Sequence, residues 1–187
     1  MSRFDHYDII VIGGGAAGLS FVYRATQEPA LRDKKILIIA PDPKDKNDRT
    51  WSFWADQPLW VDDIVYRKWQ YLAFNSKFHN QVYSLGKFDY RMVRGRDFYA
   101  YTQSSIYQNL NIEKIQASAN SVIDGRESAH VIVGDRDLSA DFVLKGAFLP
   151  GEFSPQPSQY HYLKQHFKGW VIQTKDPVFS TDIATMF

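Results

Sequence analysis

An α/β fold built on a parallel sheet is predicted by three features of the first forty residues. The first is a short apolar run, Tyr7-Asp8-Ile9-Ile10-Val11-Ile12, of the kind a strand shows when both its faces are buried. The second is a glycine cluster that follows at once and opens a helical stretch over residues 16–27. The third is another buried run, Ile36-Leu37-Ile38-Ile39-Ala40, set off from the helix by Pro29 and the charged residues 32–35. Residues 7–40 therefore read as one βαβ unit.

Gly13, Gly15 and Gly18 satisfy G-x-G-x-x-G in the context that gives this motif meaning, directly after a strand and at the head of a helix. Gly13 permits the tight turn, Gly15 lets backbone approach a pyrophosphate, and Gly18 allows the helix to pack close to the strand. The helix start, with Ala17 in its first turn, then presents N–H groups and a partial positive charge to the phosphates. This predicts a Rossmann-like dinucleotide site, and a fingerprint at the extreme N-terminus is the habit of FAD-binding families. The pattern also wants an acid at the end of the second strand, for a ribose hydroxyl. That position is Ala40, a departure; Asp42, two residues on, is the candidate to reach the ribose instead.

Beyond the βαβ unit, residues 41–50 are polar and Pro-rich, hence a loop. Residues 64–74 and 81–85 read as strands with aromatic faces. Residues 94–109 read as a helix, because Phe98, Tyr101, Ile106 and Leu110 can share a broad apolar side. Strand candidates follow at 112–117, 119–123, 129–133 and 142–149, with turns at Gly125 and Gly134-Asp135. They form a β-meander leading back into a buried strand. Pro150, Pro155 and Pro157 mark a linker, and residues 169–174 look strand-like again. The expected organisation is an FAD-binding Rossmann-like domain over 1–58 and 91–153, with the beginning of a mixed-sheet substrate domain over 59–90 and 154–187.

Composition narrows the function classes. Lys plus Arg (22) against Asp plus Glu (21) leaves +1, so no charge excess points to nucleic acid. Cysteine is absent, which removes disulfides, thiolate catalysis and cysteine-bound metal. The histidines (His6, His79, His130, His161 and His166) form no ligand-spaced pair, so no metal site is expected. No apolar run nears the roughly 20 residues a bilayer-spanning helix needs. A cytoplasmic protein is expected, with peripheral association at the inner face of the membrane left open. Aromatic residues are rich at 16% and cluster between Trp51 and Phe78. They read as core and strand faces, or as a cleft for a long apolar ligand.

A second signature lies just past the βαβ unit, Asn47-Asp48-Arg49-Thr50-Trp51-Ser52-Phe53-Trp54. It resembles the N-D-R-T-W-x-F-W block of bacterial lycopene cyclases. The resemblance continues at Arg94-Gly95-Arg96-Asp97-Phe98-Tyr99, at Gln165-His166-Phe167-Lys168-Gly169-Trp170, and at Thr174 with Pro177-Val178-Phe179. The order of these blocks is the family's, across nearly the whole chain.

The resemblance implies an FAD-dependent lycopene β-cyclase that closes the ends of lycopene, or a related linear carotenoid, into β-ionone rings. The reaction it implies is an isomerisation without net electron transfer, run on reduced flavin with NAD(P)H as indirect reductant. An acid protonates the terminal double bond, the cation is attacked intramolecularly, and a base removes a ring proton. Reduced flavin is cast as stabiliser of the cation, or as acid or base itself. The implied cofactor contacts add Arg49, Thr50 and Arg94 to the glycines, Ala17 and Asp42. Trp51, Phe53 and Trp54 are the implied substrate wall, since π faces attract cations and exclude water.

Two departures qualify the match. Where the family carries a short polar flavin signature after the return strand, this chain reads Phe148-Leu149-Pro150-Gly151-Glu152. The family's M-D-F and its later carboxylate segment also have no counterpart, because the chain reads Thr185-Met186-Phe187 and stops. It is therefore expected to be an N-terminal part, inactive alone, and no catalytic residue is assigned. The competing readings are another FAD-dependent monooxygenase or oxidoreductase of the hydroxylase-like superfamily, and a non-catalytic flavin-binding remnant.

Overall fold

The computed structural model describes residues 6–147, 170 and 172–186. In chain order the elements begin with β1 (His6–Ile12), α1 (Ala16–Gln27), β2 (Ile36–Ile39) and β3 (Thr50–Ala55). A single 3-10 turn (Asp62–Ile64) leads into β4 (Val65–Trp69), β5 (Tyr71–Asn75), β6 (Asn80–Ser84) and β7 (Asp89–Arg94). Then come α2 (Gly95–Gln108), β8 (Ile112–Ile115), β9 (Ser121–Asp124), β10 (Ala129–Val133), β11 (Arg136–Lys145) and β12 (Ile183–Met186). The chain divides into two compact units, 1–46 with 98–154 and 47–97 with 155–187.

The first unit is a six-stranded sheet ordered β8-β2-β1-β11-β10-β9. Its first four strands run parallel, and β9, β10 and β11 form the expected meander. The strand at 112–117, expected beside that meander, instead adds to the opposite edge next to β2. The core holds Tyr7, Ile10, Ile12, Leu37, Ile39 and Val131, which explains why both β1 and β2 read as unbroken apolar runs. Tyr7 is fully buried, and its hydroxyl donates to Glu113 Oε2 at 2.6 Å, satisfying the one polar atom it brings inside.

Helix α1 buries Gly18, Leu19, Val22 and Ala25, one stripe at helical spacing. Helix α2 buries Phe98, Tyr99, Thr102 and Ile106. Thr102 can lie inside because its hydroxyl donates back to the Phe98 carbonyl at 2.9 Å. Leu110, expected on that apolar side, is 71% exposed because the helix has already ended. The strand expected at 142–149 starts earlier, at Arg136, and is not buried throughout. Leu138 and Ala140 are inside, whereas Phe142 is 68% exposed, since the α1 crossover spans β1 and β2 rather than β11.

The second unit holds two three-stranded sheets, β3-β7-β4 and the mixed β12-β5-β6. The single strand expected over 64–74 is two strands that part at Gln70. Trp69 pairs with Tyr90 in one sheet, while Tyr71 pairs with Ser84 in the other. Strand β7 was not anticipated. Its alternation of buried Asp89, Arg91 and Val93 with half-buried Tyr90, Met92 and Arg94 puts charge where sequence patterning expects apolar residues. The domain boundaries differ from expectation for the same reason. Segments 47–58 and 91–97 lie in the second unit, because β3 pairs along its length with β7 and not with the parallel sheet. Residues 170 and 172–174 are not strand, and the rest of 169–174 lies outside the described residues.

The buried charges of β7 are paired. Arg91, 5% exposed, donates to Asp62 Oδ1 at 2.6 Å and Asp89 Oδ2 at 3.1 Å, and Lys68 Nζ reaches Asp89 Oδ2 at 2.7 Å. Hydrogen bonding from Lys68, with Arg91 behind it, holds the Asp89 carboxyl below the ordinary carboxylate range. A depressed carboxylate stabilises the fold above its unfolded-state value, about 3.9, and the contribution is lost as pH falls through the folded value. Asp89→Asn is therefore expected to cost about 1–3 kcal/mol at pH 7. Denaturant titrations of both proteins between pH 7 and 3 should show that gap closing as the pH drops below the carboxylate range.

Candidate functional site

The glycine turn sits at the carboxyl end of the parallel strands, where open α/β folds take their ligands. Gly13 has φ of 110°, and its N–H donates to the Ile39 carbonyl at 2.8 Å, tying the turn to the end of β2. A side chain at Gly18 would press against the Gly13 carbonyl oxygen and meet Val11 Cγ1 at 3.2 Å, so only glycine lets α1 sit this close to β1. A side chain at Gly15 would meet nothing within 4 Å. That open space lies at the cap of α1, whose first turn carries no acid and no side-chain cap, with Ala17 exposed on it. Gly13 thus makes the tight turn and Gly18 the close helix packing, while Gly15 stands beside open space.

Gly14 adds a constraint that the motif does not name. A Cβ there would lie 2.9 Å from the Ala40 Cβ, so strand end and turn are in near contact where the pattern wants an acid. Asp42 is close by but turned outward: its side chain is 66% exposed and meets Lys44 Nζ at 3.4 Å.

The remaining expected site residues lie in the second unit. Arg49 is exposed; its carbonyl accepts from the Gly95 N–H at 2.7 Å, and one guanidinium nitrogen donates to the Asp48 carbonyl at 3.1 Å. Thr50 pairs directly with Arg94 across β3 and β7. Arg94 donates to Asp97 at 2.6 Å, which raises its pKa further, and its guanidinium stacks 3.9 Å from the Tyr66 ring centroid. Thr50 and Arg94 are thus brought together, as neighbours on one sheet face.

The three aromatic residues expected to form one wall do not share a face. Side chains alternate along a strand, so Trp51 and Phe53 point with Ala55 and Val93, whereas Trp54 points the other way with Thr50. Trp54 packs on Tyr90 at 4.6 Å between centroids, and Tyr90 on Trp69 at 5.8 Å. Trp69 and Tyr90 line a cleft of about 580 Å³ with Phe179, Ile183 and Met186 opposite them. No charged side chain lines it among the described residues. Sequence reasoning missed Trp69 and Tyr90 as lining residues; the aromatic clustering pointed to them, but only the pairing of β4 with β7 sets them side by side. The segment 148–152, where a further flavin contact was in question, and residues 165–169 of the family block lie outside the described residues.

Comparison with known proteins bears on both units. The family profile described as lycopene cyclase protein matches residues 8–187. The chain belongs to the lycopene cyclase family. No curated protein sequence matches it. Among solved structures, a probable FAD-dependent monooxygenase, pqsL from Pseudomonas aeruginosa, superposes with TM-score 0.55 at 13% identity, covering 74% of this chain and 41% of that one. The flavin-dependent brominase Bmp2 gives 0.57 at 15%, covering 75% and 37%. The p-nitrophenol 4-monooxygenase PnpA from Pseudomonas putida DLL-E4 gives 0.57 at 10%, covering 76% and 41%. At these identities the likeness is one of fold, the Rossmann-like fold of FAD-dependent enzymes. The chain spans about two fifths of the length of these structures.

The glycines make a separable pair of tests. Gly15→Val fills open space, so its melting temperature is expected to stay within a few degrees of the parent while flavin retention is lost. Gly18→Ala meets backbone, so it is expected to lower stability by about 1–3 kcal/mol even without ligand. Calorimetry on ligand-free protein and absorbance of co-purified flavin read the two effects apart.

Proposed function

We propose that the protein is an FAD-dependent lycopene β-cyclase acting on lycopene or a related linear carotenoid. The observation that carries this reading is the family match from residue 8 to 187, over a chain whose glycine turn leaves open space at Gly15. The fold of flavin-dependent monooxygenases and halogenases supports FAD rather than NAD as the bound dinucleotide.

The residues fit the cofactor. The turn at Gly13–Gly15 and the first turn of α1, with Ala17, would hold the pyrophosphate through backbone N–H groups; Asp42, just past the end of β2, stands at the Lys44 ammonium. Arg49, Thr50 and Arg94 are proposed as further cofactor contacts. Bound and reduced at the indirect expense of NAD(P)H, the flavin supplies an electron-rich ring that stabilises positive charge. The chain's own part on the substrate side is aromatic. Trp54, Tyr90 and Trp69 form a tilted stack whose π faces suit an isoprenoid end and the cation it becomes. The uncharged cleft beside Trp69 and Tyr90 suits an apolar chain. Trp51 and Phe53, on the opposite face of β3, are proposed as packing residues rather than as part of that wall. No described residue has the placement of a catalytic acid, and none is assigned.

A net isomerisation separates this reading from that of a monooxygenase. Expression of the natural reading frame in lycopene-accumulating cells is expected to convert lycopene to a ring-bearing carotenoid without stoichiometric oxygen uptake. Unchanged lycopene, with NAD(P)H and oxygen consumed together, would assign the protein to the oxygen-using flavoenzymes instead. No helix of the described residues is long and apolar enough to cross a membrane.

The two faces of β3 generate a further test. Trp54→Phe keeps apolar bulk but weakens the π donor, and is expected to slow ring closure severalfold with folding and flavin content normal. Trp51→Phe is expected to destabilise by about 1 kcal/mol with activity per folded molecule retained. The reverse pattern, in product formation and chemical denaturation of the purified variants, would move the substrate to the other face.

A further inference from the structure

Lys44 lies in the loop after β2 and is the one non-glycine residue with positive φ among the described residues, at 62°. That conformation favours glycine or asparagine, so an L-lysine holds it only when its surroundings fix the chain. Two contacts fix it here. Gln103 donates to the Lys44 carbonyl at 3.5 Å, and Lys114 Nζ donates to the neighbouring Pro43 carbonyl at 3.2 Å. The side chain is drawn inward and is only 14% exposed. Its Cγ lies 3.7 Å from where a Gly14 side chain would begin, and Ala40 is the other neighbour of that point. The ammonium stands 3.4 Å from Asp42 Oδ2 and 5.5 Å from the centroid of the Tyr99 ring.

We propose that Lys44 is a cofactor-binding residue, its ammonium donating to the phosphates of the adenosine-diphosphate half of the bound dinucleotide. The inference rests on the flavin reading above. The stem runs along the middle glycine of the turn, beside the strand-end position from which this fold reaches the adenosine ribose. The charge has the right sign for a pyrophosphate, and it adds to an α1 first turn that carries no acid. The stem is held inward, the side chain being 14% exposed, which limits the freedom the ammonium loses on meeting a phosphate. Asp42, paired to the same ammonium, orients it and is a ligand partner only through it.

Lys44→Gly tests this cleanly, because glycine accepts φ of 62° while the ammonium is lost. The natural full-length protein and the variant are stripped of flavin, then titrated with FAD by fluorescence quenching and with ADP as competitor. The variant is expected to melt no lower than the parent and to bind FAD and ADP about tenfold more weakly, or worse. The gap should narrow as salt is raised. Lys44→Asn, which also tolerates the conformation, is expected to match it and serves if the glycine variant misfolds. Parental FAD and ADP affinity in either folded variant would reduce Lys44 to a strap between the loop and Tyr99. A loss for FAD that ADP does not share would also overturn the assignment, since the contact would lie elsewhere on the flavin. FAD bound by neither protein would sink the flavin reading and this inference with it, whereas equal tight binding by both sinks the inference alone.

Discussion

The structure of the first unit depends on one close approach, that of the α1 backbone at Gly18 to the Gly13 carbonyl oxygen. No side chain fits between them, so helix and strand sit as near as main chain allows. Two consequences follow from that single contact. The helix start is brought level with the carboxyl ends of β1 and β2, so its N–H groups face outward past Gly15 rather than into the sheet. The chain must also turn sharply at Gly13, whose φ of 110° and hydrogen bond to Ile39 make β1 and β2 end together. Open space beside Gly15 is the by-product of packing two elements too closely for side chains.

The second unit is organised by the opposite rule, with side chains and not backbone setting its character. In β7 every second residue is buried, and two of the three are charged. Asp89 and Arg91 can be inside because Lys68 and Asp62 complete the pairing, and a buried ion of either sign left alone would cost several kcal/mol. The other side of the same strand carries Tyr90 between Trp54 and Trp69, with Arg94 against Tyr66 further along. One strand thus carries its ion pairs on the face it shares with Trp51 and Phe53, and the uncharged cleft lies on the other, with Tyr90.

How much of this was legible in the sequence follows from the length scale of each determinant. The βαβ unit was legible because its determinants are local: apolar runs buried on both faces, glycines at fixed offsets, and a helix whose buried positions recur at 3.6-residue spacing. Strand β10 and the turns about it were legible for the same reason. Strand β7 was not, since Asp89 and Arg91 break the period-2 apolar pattern, and their partners Asp62 and Lys68 come from elsewhere in the chain. The break at Gln70 was hidden too, because residues on both sides favour strand and only their partners differ. Of the candidate site, Gly13, Gly15 and Gly18 could be assigned roles from spacing alone. The division of Trp51 and Phe53 from Trp54 was in principle readable from strand alternation, had the segment been treated as a strand rather than as a block of like residues.

The departure at Ala40 makes sense once Gly14 is included. The turn and the strand end are so close that a Cβ on Gly14 would be 2.9 Å from the one on Ala40, and Lys44 fills the adjoining space. A longer residue at position 40 would have to share that volume with the lysine stem. Small residues at both Gly14 and Ala40 are therefore the steric condition for Lys44 to lie inward, and the left-handed backbone at Lys44 is the conformational one.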